Sequence, residues 1–104
     1  MNKDAAGMLG ILNKAGLLAF GYDALPKMRK AALVLLASDA ASASLGKILS
    51  SAKKFNVETL VVATKAELGA PLGYPVLSSV AVLSRKGAAS LKEKLQKGES
   101  HEEK

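Results

Sequence analysis

The spacing of apolar positions changes several times along the chain, and each change marks an element. Ala5, Met8, Leu9 and Leu12 fall at i, i+3, i+4 and i+7, one stripe on a first helix that Gly16 ends. Residues 17–20 read as a short strand. Asp23 is placed to N-cap a second helix running to Arg29 or Lys30, with Pro26 in its first turn, where a missing N–H costs little. Residues 31–37 are continuously apolar, the pattern of a central strand covered on both faces. Leu45, Ile48, Leu49 and Ala52 mark a third helix, with Lys47, Lys53 and Lys54 away from that stripe.

Two further β-like runs, residues 59–63 and 76–83, enclose the sequence Thr-Lys-Ala-Glu-Leu-Gly-Ala-Pro-Leu-Gly-Tyr-Pro-Val at 64–76. Thr64 and Glu67 form a Thr-x-x-Glu capping box, so a helix should start directly behind the first run. Gly69 stands where a left-handed stop would end it after barely one turn. Gly73, Tyr74 and Pro75 then make a tight loop. A short helix and a Gly/Pro loop between two strands hold an apolar tip at the surface, and such loops serve recognition more often than catalysis.

Ala88, Leu91 and Leu95 mark a last helix, and from Gly98 the chain turns polar and should fray. Helices alternating with short buried strands predict an α/β fold, a three-layer α/β/α sandwich around a small mixed sheet. No linker or repeat divides the chain, so residues 1–97 are expected to form one domain and 98–104 a polar disordered tail.

Length and composition narrow the picture. With 104 residues and 49% hydrophobic content, the chain suits one globular domain with a single core. No apolar run approaches the roughly 20 residues of a membrane span. The first ten residues contain Asp4 and lack the apolar region of a signal peptide, so a cytoplasmic protein is expected. The absence of cysteine removes disulfides, thiol nucleophiles and zinc–thiolate sites. Fifteen basic residues against nine acidic give a net charge of +6, which favours polyanionic partners. Only four aromatics are present, Phe20, Tyr22, Phe55 and Tyr74, too few for a platform stacking many bases.

Catalytic chemistry finds little support. The one histidine, His101, lies in the polar tail, so a serine nucleophile has no base. Asp23, Asp39, Glu58 and Glu67 are scattered, and each has a structural role open to it as a cap or surface charge. No glycine-rich loop has phosphate-binding spacing. Leu33 to Asp39 superficially resembles the acidic strand end of a receiver domain, but the clustered acids of a receiver pocket are missing. The expectation is a protein that is not an enzyme and takes no cofactor or metal.

The order of motifs resembles the small kink-turn-binding ribosomal proteins of archaea and eukaryotes, most closely their YlxQ-like bacterial branch. Lys14-Ala15-Gly16 matches a basic-Ala-Gly stop after the first helix, and Gly21 the glycine at the mouth of the second. Leu33-Val34-Leu35-Leu36-Ala37-Ser38-Asp39 matches the strand exit. The Thr-Lys-x-Glu-Leu-Gly-x-x-x-Gly of residues 64–73 and the final Val80-Ala81-Val82 complete the series. The resemblance covers roughly residues 5–96. It implies a ribonucleoprotein component that binds structured RNA, a kink-turn or ribosomal RNA, on or near the ribosome, as a monomer and without a membrane. The alternative is a divergent member that works as a protein-interaction or ribosome-assembly module.

The same resemblance implies a site. Backbone at Gly21 would approach the tandem G·A pairs, and the segment Tyr22-Asp23-Ala24 stands where a polar pair reads guanine edges. Asp23 replaces a common Asn and cannot donate, while Ala24 replaces a common Glu and offers no acceptor. Lys27 would meet phosphate, and Lys14 and Lys30 would add phosphate contacts or else be solvated charges. Asp39 would steady the site, or else cap the third helix. Tyr74, Pro75 and Val76 would cover a flipped-out nucleotide, or else only shape a turn.

Overall fold

The long apolar run becomes β2 (Leu33–Ala37), whose five residues are all buried. In the computed structural model, which describes residues 1–102 and the side chains of residues 1–96, β2 lies inside a four-stranded sheet. Its companions are β1 (Leu18–Phe20), β3 (Glu58–Ala63) and β4 (Ser79–Val82), in the order β1-β4-β2-β3. β4 runs antiparallel to both β1 and β2, whereas β2 and β3 are parallel. Leu35 therefore sits between Val80 on one side and Leu60 on the other. The β2–β3 register slips after Leu36, leaving Val62 as an extra residue on the edge strand.

Alternation along β2 divides the core. Leu33, Leu35 and Ala37 join Leu18, Val80 and Val82 beneath α1 (Lys3–Lys14), α4 (Arg85–Glu102) and the short α3 (Lys65–Gly69). Val34, Leu36, Ala19 and Ala81 face the other way, under a 3-10 helix, Gly21–Lys30, and α2 (Ser42–Lys54). The result is the expected three-layer α/β/α sandwich with a mixed sheet. α4 runs to Glu102, past the Gly98 at which a tail was expected to begin, and the fraying predicted for that tail falls on residues whose side chains lie outside those described.

Several local expectations change. The second helix is 3-10 rather than α, and it begins at Gly21 instead of behind Asp23. Gly21 has φ +54°, so the chain turns out of β1 at once; extended Phe20 takes the cap position and no side chain caps the helix. Asp23 lies exposed within the first turn and Pro26 in the interior, where its missing N–H would break an α-helical ladder. Leu49, read as part of the α2 stripe, is 41% exposed, because α2 buries only Ile48 and Ala52 fully. The apolar run 76–83 pairs only from Ser79 to Val82, since the Leu77 N–H is taken by the Lys65 carbonyl at 3.0 Å.

Gly69 is not a left-handed stop. It is right-handed (φ −76°), and the chain continues through a second 3-10 turn, Ala70–Leu72, to Gly73, whose φ of +81° makes the actual reversal. The capping box ahead of it is formed as expected, with Thr64 and Glu67 bonded reciprocally. Those bonds from the Thr64 N–H and hydroxyl hold the Glu67 carboxyl below its ordinary pKa, because they favour the charged form.

Candidate nucleic-acid interface

Strand directions decide which of the expected residues meet. β1, β2 and β3 point the same way and β4 points back, so Gly21, Asp39, Thr64 and the residues before Ser79 all gather at one end of the sheet. Lys14 ends α1 ahead of β1, and Lys30 precedes β2, so both lie at the opposite end. Neither joins the site that the resemblance implied for them.

Three contacts knit the shared end together. Asp39 Oδ1 accepts from the Lys65 N–H at 2.7 Å, across 26 residues of chain. Asp39 thereby caps α3, not the helix that follows it; α2 starts behind Ala41 with no side-chain cap. The Lys65 carbonyl then holds the Leu77 N–H, and the Ser78 carbonyl accepts from the Ala37 N–H at 2.9 Å. The loop 73–78 is thus fastened to both β2 and α3.

The loop also presses on Gly69. A Cβ there would come within 2.6 Å of the Tyr74 carbonyl oxygen and 3.2 Å of the Val76 carbonyl carbon, so only glycine lets the backbones approach this closely. The Tyr74 N–H bonds the Gly69 carbonyl at 3.1 Å. This lifts Tyr74 (44% exposed), Pro75 and Val76 (55%) to the surface.

Tyr74 does more than project. Its ring lies 5.1 Å from that of Phe20, tilted by 56°, the separation of a favourable aromatic pair. Because Phe20 precedes Gly21, this pair places the loop tip beside the left-handed turn that opens the 3-10 helix. Tyr22, 53% exposed, continues the apolar surface, with Lys47 Nζ 5.9 Å above its ring. Asp23 is exposed nearby, and Lys27 is exposed two 3-10 turns beyond Gly21, about 12 Å along the helix at 2 Å per residue.

Ala24 must leave the site. It is 1% exposed and belongs to the core with Met28, Val34 and Ile48, so its side chain faces the sheet and not a ligand. Sequence reasoning also missed Phe20, Gly69 and the part played by Lys65. Phe20 read as a strand residue, and Gly69's true role depends on a loop that folds back over it. Among the described residues, no group of three or more His, Cys, Asp or Glu could hold a metal ion, and no helix is long and apolar enough to cross a membrane.

No protein-family model matches the chain, and no curated protein matches it. One solved structure, of a protein with unknown function from Bacillus halodurans C, superposes with a TM-score of 0.72 at 24% identity. The match covers 88% of this chain and 99% of that one. A likeness at this identity establishes the shared α/β fold.

Proposed function

We propose that this protein binds structured RNA of the kink-turn kind, without catalysis, in a ribosome-associated cytoplasmic setting. One juxtaposition carries the reading: the Phe20–Tyr74 ring pair sets the exposed Tyr74-Pro75-Val76 tip beside the left-handed backbone of Gly21. A turn without a Cβ lets a base edge or phosphate approach the main chain, and an apolar tip beside it covers a base drawn out of the stack. Asp39 acts at one remove, holding Lys65 and through it the loop. Lys27 supplies a phosphate contact. Base-specific readout by a polar pair is reduced to Asp23 alone, so recognition rests mainly on shape and charge.

The test is capture of cellular RNA by the protein, sequencing of what is bound, and titration of an enriched RNA across salt. Affinity should fall with salt by about 0.7 to 0.9 logarithmic units per phosphate neutralised. Lys27→Ala should weaken all bound RNAs alike and flatten that slope by nearly one unit. A salt-independent affinity, or no enrichment of structured RNA, would end this reading.

Tyr74→Ala should cost about 1–3 kcal/mol of RNA affinity, the scale of one base–aromatic stack. It should also cost about 0.5–1.5 kcal/mol of stability through loss of the pair with Phe20. Tyr74→Phe keeps both rings and should restore both quantities. If Tyr74→Ala loses stability alone, the ring is part of the fold and not of the interface.

A second reading, a protein-interaction or ribosome-assembly module, is favoured by a different observation. Tyr22, Tyr74 and Val76 are exposed large apolar side chains at this end, and aromatic anchors of this kind also suit a protein partner. Recovery of one protein, with RNase leaving it bound, would select this alternative.

A further inference from the structure

One layer of the molecule is almost purely basic. The 3-10 helix Gly21–Lys30 and α2 together carry Lys27, Arg29, Lys30, Lys47, Lys53 and Lys54 against a single acid, Asp23. The opposite layer, α1 and α4, mixes seven basic with four acidic residues. The layer that begins at Gly21 therefore carries a net +5 against +3 for the opposite layer, and almost no acid interrupts it.

Between the 3-10 helix and α2 runs an open groove. Ala43, Gly46, Ser50 and Ser51 contribute small side chains along α2, Leu25 closes one wall, and Phe55 lies at the far end. Lys47 and Lys54 stand along it two helical turns apart, about 10 Å. Among the described residues, no carboxylate lines it. The three cations flanking the groove are held by rings: Lys47 over Tyr22 at 5.9 Å, Lys54 and Arg29 over Phe55 at 5.5 and 5.7 Å. Ring contact restrains otherwise mobile side chains, so less ordering is needed when an anion arrives.

We infer that this groove carries the sugar-phosphate backbone of an RNA stem leaving the Gly21–Tyr74 end, an inference that rests on the RNA-binding reading above. Tyr22 joins the two regions, since it follows Gly21 in sequence and holds Lys47 at the groove's near end. With a cation set against each ring, the groove offers charge and hydroxyls more than a free stacking face. That chemistry suits phosphates spaced along a strand rather than unpaired bases.

The test uses the full chain and a fluorescein-labelled RNA in which tandem G·A pairs separate two stems, together with versions lacking each stem in turn. Lys47→Gln with Lys54→Gln should lower the salt slope on the complete RNA by about 1.4 to 1.8 units, two phosphates' worth. The loss should vanish on one of the two shortened RNAs, the one whose missing stem lay in the groove. Gly46→Glu adds a carboxylate to the groove where a Cβ meets nothing within 4 Å, so the fold should survive. It should weaken the complete RNA and spare that same shortened one.

If wild-type protein binds these RNAs and the double variant keeps its slope, the groove is overturned and the RNA-binding reading stands. If the slope falls equally on all three RNAs, the lysines act without a groove-bound stem, and the inference again fails. If wild-type protein binds none of them, both readings fall together. Binding of poly-glutamate that Lys47→Gln with Lys54→Gln removes, beside an unchanged RNA slope, would assign the groove to an acidic protein and overturn the inference.

Discussion

Ala24→Glu is expected to cost about 3–5 kcal/mol of stability, the penalty of an uncompensated buried charge, and to leave much of the chain unfolded. The methyl group of Ala24 is 1% exposed within an apolar cluster that includes Met28, Val34, Leu36 and Ile48. A carboxylate placed there must ionise without a partner, take up a proton, or pull the 3-10 helix off the sheet. Against a total stability of roughly 5–15 kcal/mol for a domain, any of these is severe. Asp23→Asn, one residue earlier and exposed, should change stability by less than about 0.5 kcal/mol. Urea denaturation followed by circular dichroism measures both. A stable Ala24→Glu protein would show that the 3-10 helix presents a different face to the sheet. The pair has a functional side as well: a polar Asn-Glu dipeptide of the sort the resemblance implies cannot be installed here, because the second position faces inward.

Leu35→Ala should lose about 2–5 kcal/mol. Leu35 is fully buried in the central strand between Val80 and Leu60, and its cluster includes Leu9, Leu68, Leu72 and Leu91 from four helical segments. Few neighbours can close the cavity, because strands flank it on both sides and the helices above are already in contact. RNA affinity, measured where the variant remains folded, should stay within about twofold, since the side chain lies under α1 and α4 and not at the Gly21 end. Loss of affinity with unchanged stability would put Leu35 at a surface and overturn the strand order.

Much of the architecture was legible because it is written in local patterns. The α1 stripe and Gly16 stop, the five buried residues of β2, and the Thr64–Glu67 capping box each depend on neighbours within one or two turns. What was not legible depends on distant partners. A 3-10 and an α-helix share composition and differ by one residue in hydrogen-bond offset, so the helix type around Pro26 was not readable. Ala24 looked like a site position only because its spacing from Gly21 matched a motif; which face it shows is set by the sheet. Gly69 looked like a stop because glycines commonly stop helices, while its real constraint is a carbonyl five residues later that folds back over it. Lys14 and Lys30 seemed close to the site until the strand directions sent them to the far end. Asp39 reads as a steadying acid or a cap of the third helix, while its actual partner, the Lys65 N–H, is visible only in three dimensions.

The strand order also bears on how the chain assembles during synthesis. β1 pairs with β4 alone, and β4 is the strand that joins β1 to β2. Until residues 79–82 have left the ribosome, β1 has no edge to join, and α1 has only part of the core to cover. The parallel β2–α2–β3 unit, by contrast, has both strands and its crossover by residue 63. In a nascent chain the middle strands therefore have their pairing partners first, and β1 waits for β4.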